Sequence, residues 1–368
     1  MNPRASRAER LAALAAEREL DALIVGDLVR PGDSAPDSIA PIRWLTGFSG
    51  TSGLAIVGPE RAPVFLTDFR YTERAEQEVG DEFERVTVEG PLIAELASRV
   101  AGRVGFDDGA TSVRSYGKLE ESVAEDVELV ASPGLVERLR RVKDEAEIAA
   151  IATATRLADE VFEWLAEAGL AGRTEAQVAS STEARMRELG AEPSFPAIVA
   201  AGPNGALPHA EPSQRVIGEG ELVVVDMGAK LDGYCSDGTR TFATADPGDE
   251  ARRVYDVVLR AQRAGLAAVR AGVAGVDADA AARALIEEAG LGDHFGHGLG
   301  HGVGLEVHEA PRMGKRSEDV LVAGDVVSVE PGVYLPGRLG VRIEDLVVVE
   351  EGGLRNLSGT SPELRIVG

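Results

Sequence analysis

At 368 residues the chain has room for two domains of ordinary size, and its 44% hydrophobic content supports real cores, built from Ala, Val and Leu because aromatics reach only 4%. With 62 acidic residues against 38 basic ones the net charge is −24, which argues against nucleic acid as a partner, since phosphate binding relies on Lys and Arg. The single cysteine, Cys235, rules out an intrachain disulfide and a cysteine-rich zinc site.

The first ten residues carry charges with no apolar core behind them, so no signal peptide is expected. No apolar run approaches the roughly 20 residues that span a bilayer. The expectation is a cytoplasmic protein with no membrane partner. Residues 6–18 place Leu11 and Leu14 among Ala, Glu and Arg, a helix with a modest apolar stripe. Residues 22–25 read as a short buried strand. Residues 30–41, with three prolines, a glycine and interspersed Asp and Ser, read as a loop. Strands follow at 54–57, 64–67, 86–88 and 103–106, with helices at 72–79 and 91–100. The alternation predicts an α/β domain. It holds no histidine and no cysteine, so the chemistry belongs elsewhere. Ala131-Ser-Pro-Gly134 is the natural hinge, which divides the chain into 1–133 and 134–368.

Beyond the hinge, Ile148, Ile151, Ala154, Ala158, Val161, Phe162 and Leu165 mark one face of a long helix. Thr174-Glu-Ala-Gln177 has the form of a capping box that opens a second helix. Residues 168–179 align without gaps on 271–282, with Thr174 and Asp277 as matching caps, and both following helices end at a glycine, Gly190 and Gly290. This repetition predicts two similar halves about a pseudo-twofold axis, with a site between them.

Of five histidines, His294, His297, His301 and His308 fall within fifteen residues, and the fifth is His209. Glycine alternates from Gly296 to Gly304, letting backbone approach a neighbour closely. Clustered imidazoles in such a segment suggest metal binding or proton transfer. Four carboxylates stand in apolar strands around it. Asp226 ends Leu-Val-Val-Val, and Asp237 follows a turn near Leu231 and Asp232; a hairpin there would set the two acids opposite each other. Glu330 ends Val-Val-Ser-Val, and Glu344 lies in a second such pair of strands. Buried acids are costly unless paired or metal-bound. Four carboxylates and one imidazole match the charge of two divalent cations, and oxygen-rich ligation favours Mn²⁺-like ions.

These motifs resemble the metallopeptidases of the pita-bread fold, specifically the Xaa-Pro aminopeptidases and Xaa-Pro dipeptidases (prolidases), over nearly the whole chain. Arg43-Trp-Leu-Thr-Gly-Phe-Ser-Gly50 and Phe65-Leu-Thr-Asp-Phe-Arg-Tyr71 look like that family's creatinase-like N-terminal α/β domain. Leu207-Pro-His209, Val225-Asp-Met-Gly, Ser236-Asp-Gly-Thr-Arg-Thr241, the glycine–histidine run, Val329-Glu-Pro-Gly-Val-Tyr334 and Val341-Arg-Ile-Glu-Asp345 look like its α+β catalytic domain. The resemblance implies that Asp226 chelates one metal, Asp237 and Glu344 bridge both, and His301 and Glu330 hold the other. It implies attack on the scissile carbonyl by a hydroxide shared between the ions. Glu330 would carry the proton to the leaving proline nitrogen, His308 would stabilise the oxyanion, His209 and His297 would contact the substrate, and Arg342 would orient a ligand. The implied cofactors are two divalent ions, Mn²⁺ first with Co²⁺ or Zn²⁺ as alternatives. The implied substrates are short proline-containing peptides and the implied assembly is a homodimer. An aminopeptidase acting at the Xaa-Pro bond is the lead reading. A strict Xaa-Pro dipeptidase is the alternative, with a methionine aminopeptidase or a non-catalytic peptide-binding relative more remote. His294 matches no family position and reads as incidental. Gly238 stands where the family has an apolar residue, and the 30–41 loop is longer than the family's, either a surface insertion or a device that limits substrate length.

Overall fold

The computed structural model describes residues 6–26 and 39–368. Two compact units divide it, residues 1–140 and 141–368. In the first, the elements are α1 (Arg7–Glu17), β1 (Ala22–Val25), α2 (Ala40–Thr46), β2 (Gly53–Val57), β3 (Val64–Asp68), α3 (Thr72–Glu78), β4 (Glu84–Val88), α4 (Leu92–Ala97), β5 (Arg103–Phe106), α5 (Val113–Ser122), β6 (Glu128–Ala131) and α6 (Leu135–Arg140). One six-stranded mixed sheet runs in the order β4-β3-β2-β1-β5-β6. The loop expected over 30–41 lies, as far as residue 38, outside the described residues. Its end opens α2 instead, because Pro41 stands in the first turn, where a missing N–H is tolerated. Helix α5 and strand β6 have no counterpart in the sequence-based expectation. Only Ser115 and Leu119 of α5 are buried and no residue of β6 is, so neither shows a strong apolar period. Helix α6 packs on α1 and α2, so the first unit ends after it rather than at the 133/134 hinge.

The second unit comprises α7 (Glu145–Ala168), α8 (Glu175–Glu188), β7 (Glu192–Pro193), β8 (Ile198–Ala201), β9 (Leu222–Asp226), β10 (Ala229–Leu231), β11 (Tyr234–Cys235) and β12 (Thr239–Ala243), then α9 (Gly248–Ala268), α10 (Gly275–Glu288), β13 (Gly300–Gly302), β14 (Glu309–Met313), β15 (Val326–Val329), β16 (Gly332–Leu335), β17 (Leu339–Arg342), β18 (Asp345–Glu350) and β19 (Gly353–Asn356). Two long helices and then antiparallel strands occur twice. The halves correspond at an offset of 100 residues, not the 103 of the gap-free alignment. Helices α7 and α9 end at Ala168 and Ala268, α8 and α10 span 175–188 and 275–288, and the left-handed glycines Gly172 and Gly190 recur as Gly272 and Gly290. Backbone bonds repeat with the same shift: Gly190 N donates to Arg187 O and Gly290 N to Glu287 O, and Ala191 N donates to Met186 O and Leu291 N to Ile286 O. Thr174 forms the expected capping box, with its side chain on Gln177 N and the Gln177 side chain on its own N–H. Asp277 is no cap; α10 begins after Ala274 without a side-chain cap.

Each half covers one face of its sheet with its own helices. Val223 and Val225 of β9 pack with Val161, Leu165 and Val178, while Val327 and Val329 of β15 and Val347 and Val349 of β18 pack with helices α9 and α10. Strand side chains alternate between faces. Asp226, Glu330 and Glu344 therefore fall on the face opposite those valines. Among the described residues no helix is long and apolar enough to cross a membrane.

Candidate metal centre

The centre is assembled from strand ends. Strand β9 pairs with β12 in a register that sets Asp226 against Thr239, so Asp237 is not directly opposite Asp226 as a simple hairpin predicts. The hairpin exists but belongs to β10 and β11, turning at Asp232 and Gly233, both at positive φ. Asp237 lies two residues before Thr239, an interval that keeps extended side chains on one face. Strand β15 pairs with β18, Val329 against Asp345, which brings Glu330 and Glu344 together one step beyond the last pair. His301 sits in β13, where glycine is required on both sides. A Cβ on Gly300 would meet Ser328 O at 2.0 Å, and one on Gly302 would meet Ala310 O at 2.1 Å.

Ligand atoms of Asp237, His301 and Glu344 lie within 4.8 Å of one another. His301 Nδ1 faces its neighbour's carbonyl, Gly302 O, at 3.1 Å and donates to it. That leaves Nε2 turned towards Glu330 Oε1 at 3.2 Å and Asp237 Oδ2 at 3.6 Å. A lone pair facing two carboxylates requires a cation between them, either a proton or a metal. A ring N–H held by a backbone carbonyl is the usual support of a metal-binding histidine. Two further acceptors, Asp226 Oδ1 and Glu344 Oε1, are buried with no hydrogen-bond partner. Orphaned carboxylate oxygens of this kind are costly unless a cation occupies the space before them. The donor set, four carboxylates and an imidazole nitrogen, fits divalent metal.

The electrostatics agree. Burial pushes Asp237 and Glu344 well above the usual carboxylate range, and the neighbouring acids push them further. Burial also raises Asp226, against the pull of Arg342. Burial opposes ionisation of Glu330, but the hydrogen bond and charge of His301 bring it to about 2. Burial likewise opposes charge on His301, yet Glu330 and Asp237 raise it to about 9.

Arg342 holds the assembly from behind. Its Nη2 donates to Asp226 Oδ2, its Nε to Thr239 Oγ1 at 3.0 Å, and its Nη1 to Tyr334 OH at 2.8 Å and Pro208 O at 3.2 Å. Thr239 Oγ1 in turn donates to Glu344 Oε2 at 2.7 Å. The five expected ligands and Arg342 line one cavity of about 770 Å³ together with His209, His297 and His308. His308 and His209 are both exposed at the rim, the ring of His308 lying 4.4 Å from that of His301. Both ring nitrogens of His297 are engaged, Nδ1 on Gly298 O at 2.8 Å and Nε2 on Tyr334 OH at 2.9 Å. A carbonyl can only accept, so Nδ1 carries the proton and Tyr334 donates to Nε2. His294, on the short turn Gly292–His294, does not line the cavity.

Several supporting residues escaped the sequence analysis. Tyr334 and Thr239 stood inside quoted motifs without a role. Asp279 and Arg283, four apart on α10, form a buried ion pair at 2.7 Å, and Arg283 donates to Phe295 O and His297 O. Lys143 and Glu309 pair at 3.1 Å beside His308. An acid four residues before an arginine in an alanine-rich helix was a signal for the first pair; nothing local announced the second.

Residues 149–351 match metallopeptidase family M24, and residues 7–142 match the creatinase/prolidase N-terminal domain. The chain is 34% identical to the Xaa-Pro dipeptidase of Pyrococcus furiosus over 86% of its own length and 91% of that protein's. It is similar to the solved structure of an Xaa-Pro dipeptidase from Bacillus anthracis, with a TM-score of 0.92 at 38% identity over 98% of this chain and 99% of that one. It is also similar to that of an X-Pro aminopeptidase from Thermotoga maritima, with a TM-score of 0.89 at 34% identity over 98% and 100%. Matches of this extent across both units carry the expected fold, a creatinase-like α/β domain followed by a pita-bread catalytic domain. The chain belongs to metallopeptidase family M24.

Proposed function

We propose that the protein hydrolyses the Xaa-Pro bond at the N-terminus of short peptides, using two divalent ions, Mn²⁺ before Co²⁺ or Zn²⁺. The observation that carries this is the convergence of five ligand groups, two of them with orphaned oxygens, in a cavity with three histidines in its wall and rim. Asp226, Asp237, His301, Glu330 and Glu344 would hold the ions. The bound cations supply Lewis-acid activation of water and of the scissile carbonyl. Glu330 would take the proton from the attacking water and deliver it to the proline nitrogen. His308, whose partial desolvation beside His301 lowers its pKa, stays neutral and offers an N–H to the developing oxyanion. His297 has no free ring nitrogen, so it meets the proline with its ring, while His209 contacts the substrate from the rim.

A strict dipeptidase is the second reading. Arg312 near the end of β14 and Lys315 and Arg316 on the turn after it line the cavity in an otherwise acidic chain. Such cations suit the α-carboxylate that a dipeptide carries directly on its proline. Assaying an Xaa-Pro dipeptide and an Xaa-Pro-containing tripeptide with each metal separates the readings. Turnover of both is the aminopeptidase result, turnover of the dipeptide alone is the dipeptidase result, and turnover of neither overturns the proposal.

A further inference from the structure

His209 lies in a segment, residues 207–213, that has no helix or strand of its own. A carboxylate outside the metal centre holds that segment. Glu175, the first residue of α8, is 0% exposed. Its Oε1 accepts from Ala201 N at 2.8 Å and Asn204 Nδ2 at 3.1 Å. Its Oε2 accepts from Asn204 Nδ2 at 3.0 Å, Ser213 N at 3.1 Å and Ser213 Oγ at 2.6 Å. The chain on both sides of His209 is thus closed on one buried charge, through Ala201 and Asn204 before the segment and Ser213 at its end. Between them, Gly205 lies flat on β17, where a Cβ on Gly340 would meet Gly205 O at 1.7 Å. Beside His209, Pro208 O accepts from Arg342, the guanidinium that also holds Asp226.

The second half uses the same device one turn further along its helix. Asp279 accepts from Leu299 N at 3.0 Å, and its partner Arg283 holds Phe295 O and His297 O. At the 100-residue offset, Asp279 corresponds to Ala179, four residues after Glu175 on the same buried stripe. Each half therefore fixes a histidine-bearing segment with a buried acid from its second helix. A buried charge is worth its desolvation only where its hydrogen bonds are complete, and such a network specifies one backbone arrangement.

We propose that Glu175 is a positioning residue: it sets His209 at the cavity rim, and through it the fit of the substrate, without touching substrate or metal. This rests on the reading that His209 contacts an Xaa-Pro peptide. The test is steady-state kinetics of the Mn²⁺-loaded full chain on an Xaa-Pro dipeptide, with Mn²⁺ affinity measured alongside. Glu175→Gln is expected to raise KM about tenfold with kcat within about twofold and Mn²⁺ affinity unchanged. In the His209→Ala background the same substitution should change KM less than about twofold, since no ring remains to be misplaced. Ser213→Ala, which leaves the carboxylate its other donors, should shift KM the same way by less, and decides the matter if Glu175→Gln does not fold. A full-sized effect in the His209→Ala background overturns the proposal, as does an unchanged KM in folded Glu175→Gln. If His209→Ala itself behaves as wild type, the role of His209 falls and the inference with it. A wild-type chain inert on every Xaa-Pro peptide sinks the functional reading alone. Amide exchange over residues 201–213 then decides: faster exchange in Ser213→Ala and Glu175→Gln supports the positioning role, and unchanged exchange refutes it.

Discussion

Each unit contains a cavity with acids in its wall, and the two treat those acids differently. In the first unit a cavity of about 570 Å³ is lined by Asp68, Arg70, Lys118 and Glu121 among apolar side chains. Asp68 is satisfied from within. Arg70 forks onto both its oxygens at 2.9 and 2.8 Å, Ser52 adds a bond at 2.6 Å, and the hydrogen bond from Arg70 leads in lowering its pKa to about 2. In the second unit Asp226 and Glu344 each keep an oxygen with no partner, and burial drives Asp237 and Glu344 upward. An acid beside a cavity marks a cation site when its own neighbours leave lone pairs unmet. Counting acids does not separate these two cavities; counting buried acid oxygens without partners does.

The comparison breaks first on the centre itself. Replacing Asp237 or Glu344 with Ala should abolish hydrolysis of Xaa-Pro peptides while circular dichroism stays native. Because like charges repel there, metal-free Asp237→Asn should melt no lower than metal-free wild type; a large drop would mean the acids are held apart by the protein alone. The next largest effect belongs to Arg342. Arg342→Met leaves Asp226 buried without its cation, a loss of about 3–5 kcal/mol for a broken buried pair. A lowered melting temperature, partly restored by Mn²⁺, is the expected result, and unchanged melting would remove Arg342 as the support of the centre.

A finer test uses protons. His301 sits near pKa 9, and Asp237 and Glu344 are raised, so at pH 7 the metal-free centre holds protons that a bound cation must displace. Mn²⁺ affinity should therefore rise with pH, and calorimetry in two buffers of different ionisation enthalpy should show proton release. Equal heats in both buffers would contradict the assignment. The smallest effect lies in the first unit. Asp68 has a folded pKa below its unfolded value, so the stability it adds is present in full above about pH 4 and lost as the pH falls through about 2. The gap in melting temperature between wild type and Asp68→Asn should close over that interval; a constant gap would show that the Arg70 fork does not carry the shift.

Much of the molecule was legible as sequence wherever the signal is local. The strand at 22–25, the capping box at Thr174 and the buried strand ending in Asp226 depend on neighbours within a few residues, and the structure contains each. The duplication was visible but misaligned by three residues, because repeated Ala and Gly match at several shifts and only the paired backbone bonds select one. The register of β9 against β12 also lay beyond the sequence, since the turn at Asp232 and Gly233 closes β10 and β11 and leaves the longer strands to pair around it.

By itself the sequence determined which side chains could bear cations: four carboxylates set in apolar strands where a bare charge is costly, and an imidazole in a glycine run that close backbone packing explains. Tertiary structure alone decided who answers each charge. Arg342 reaches Asp226 across 116 residues, Thr239 reaches Glu344 across 105, and Asp226 Oδ1 and Glu344 Oε1 are left with no answer. Such pairings join strands far apart in the chain, and hydrogen-bond geometry is a property of distance in space rather than of position along the sequence.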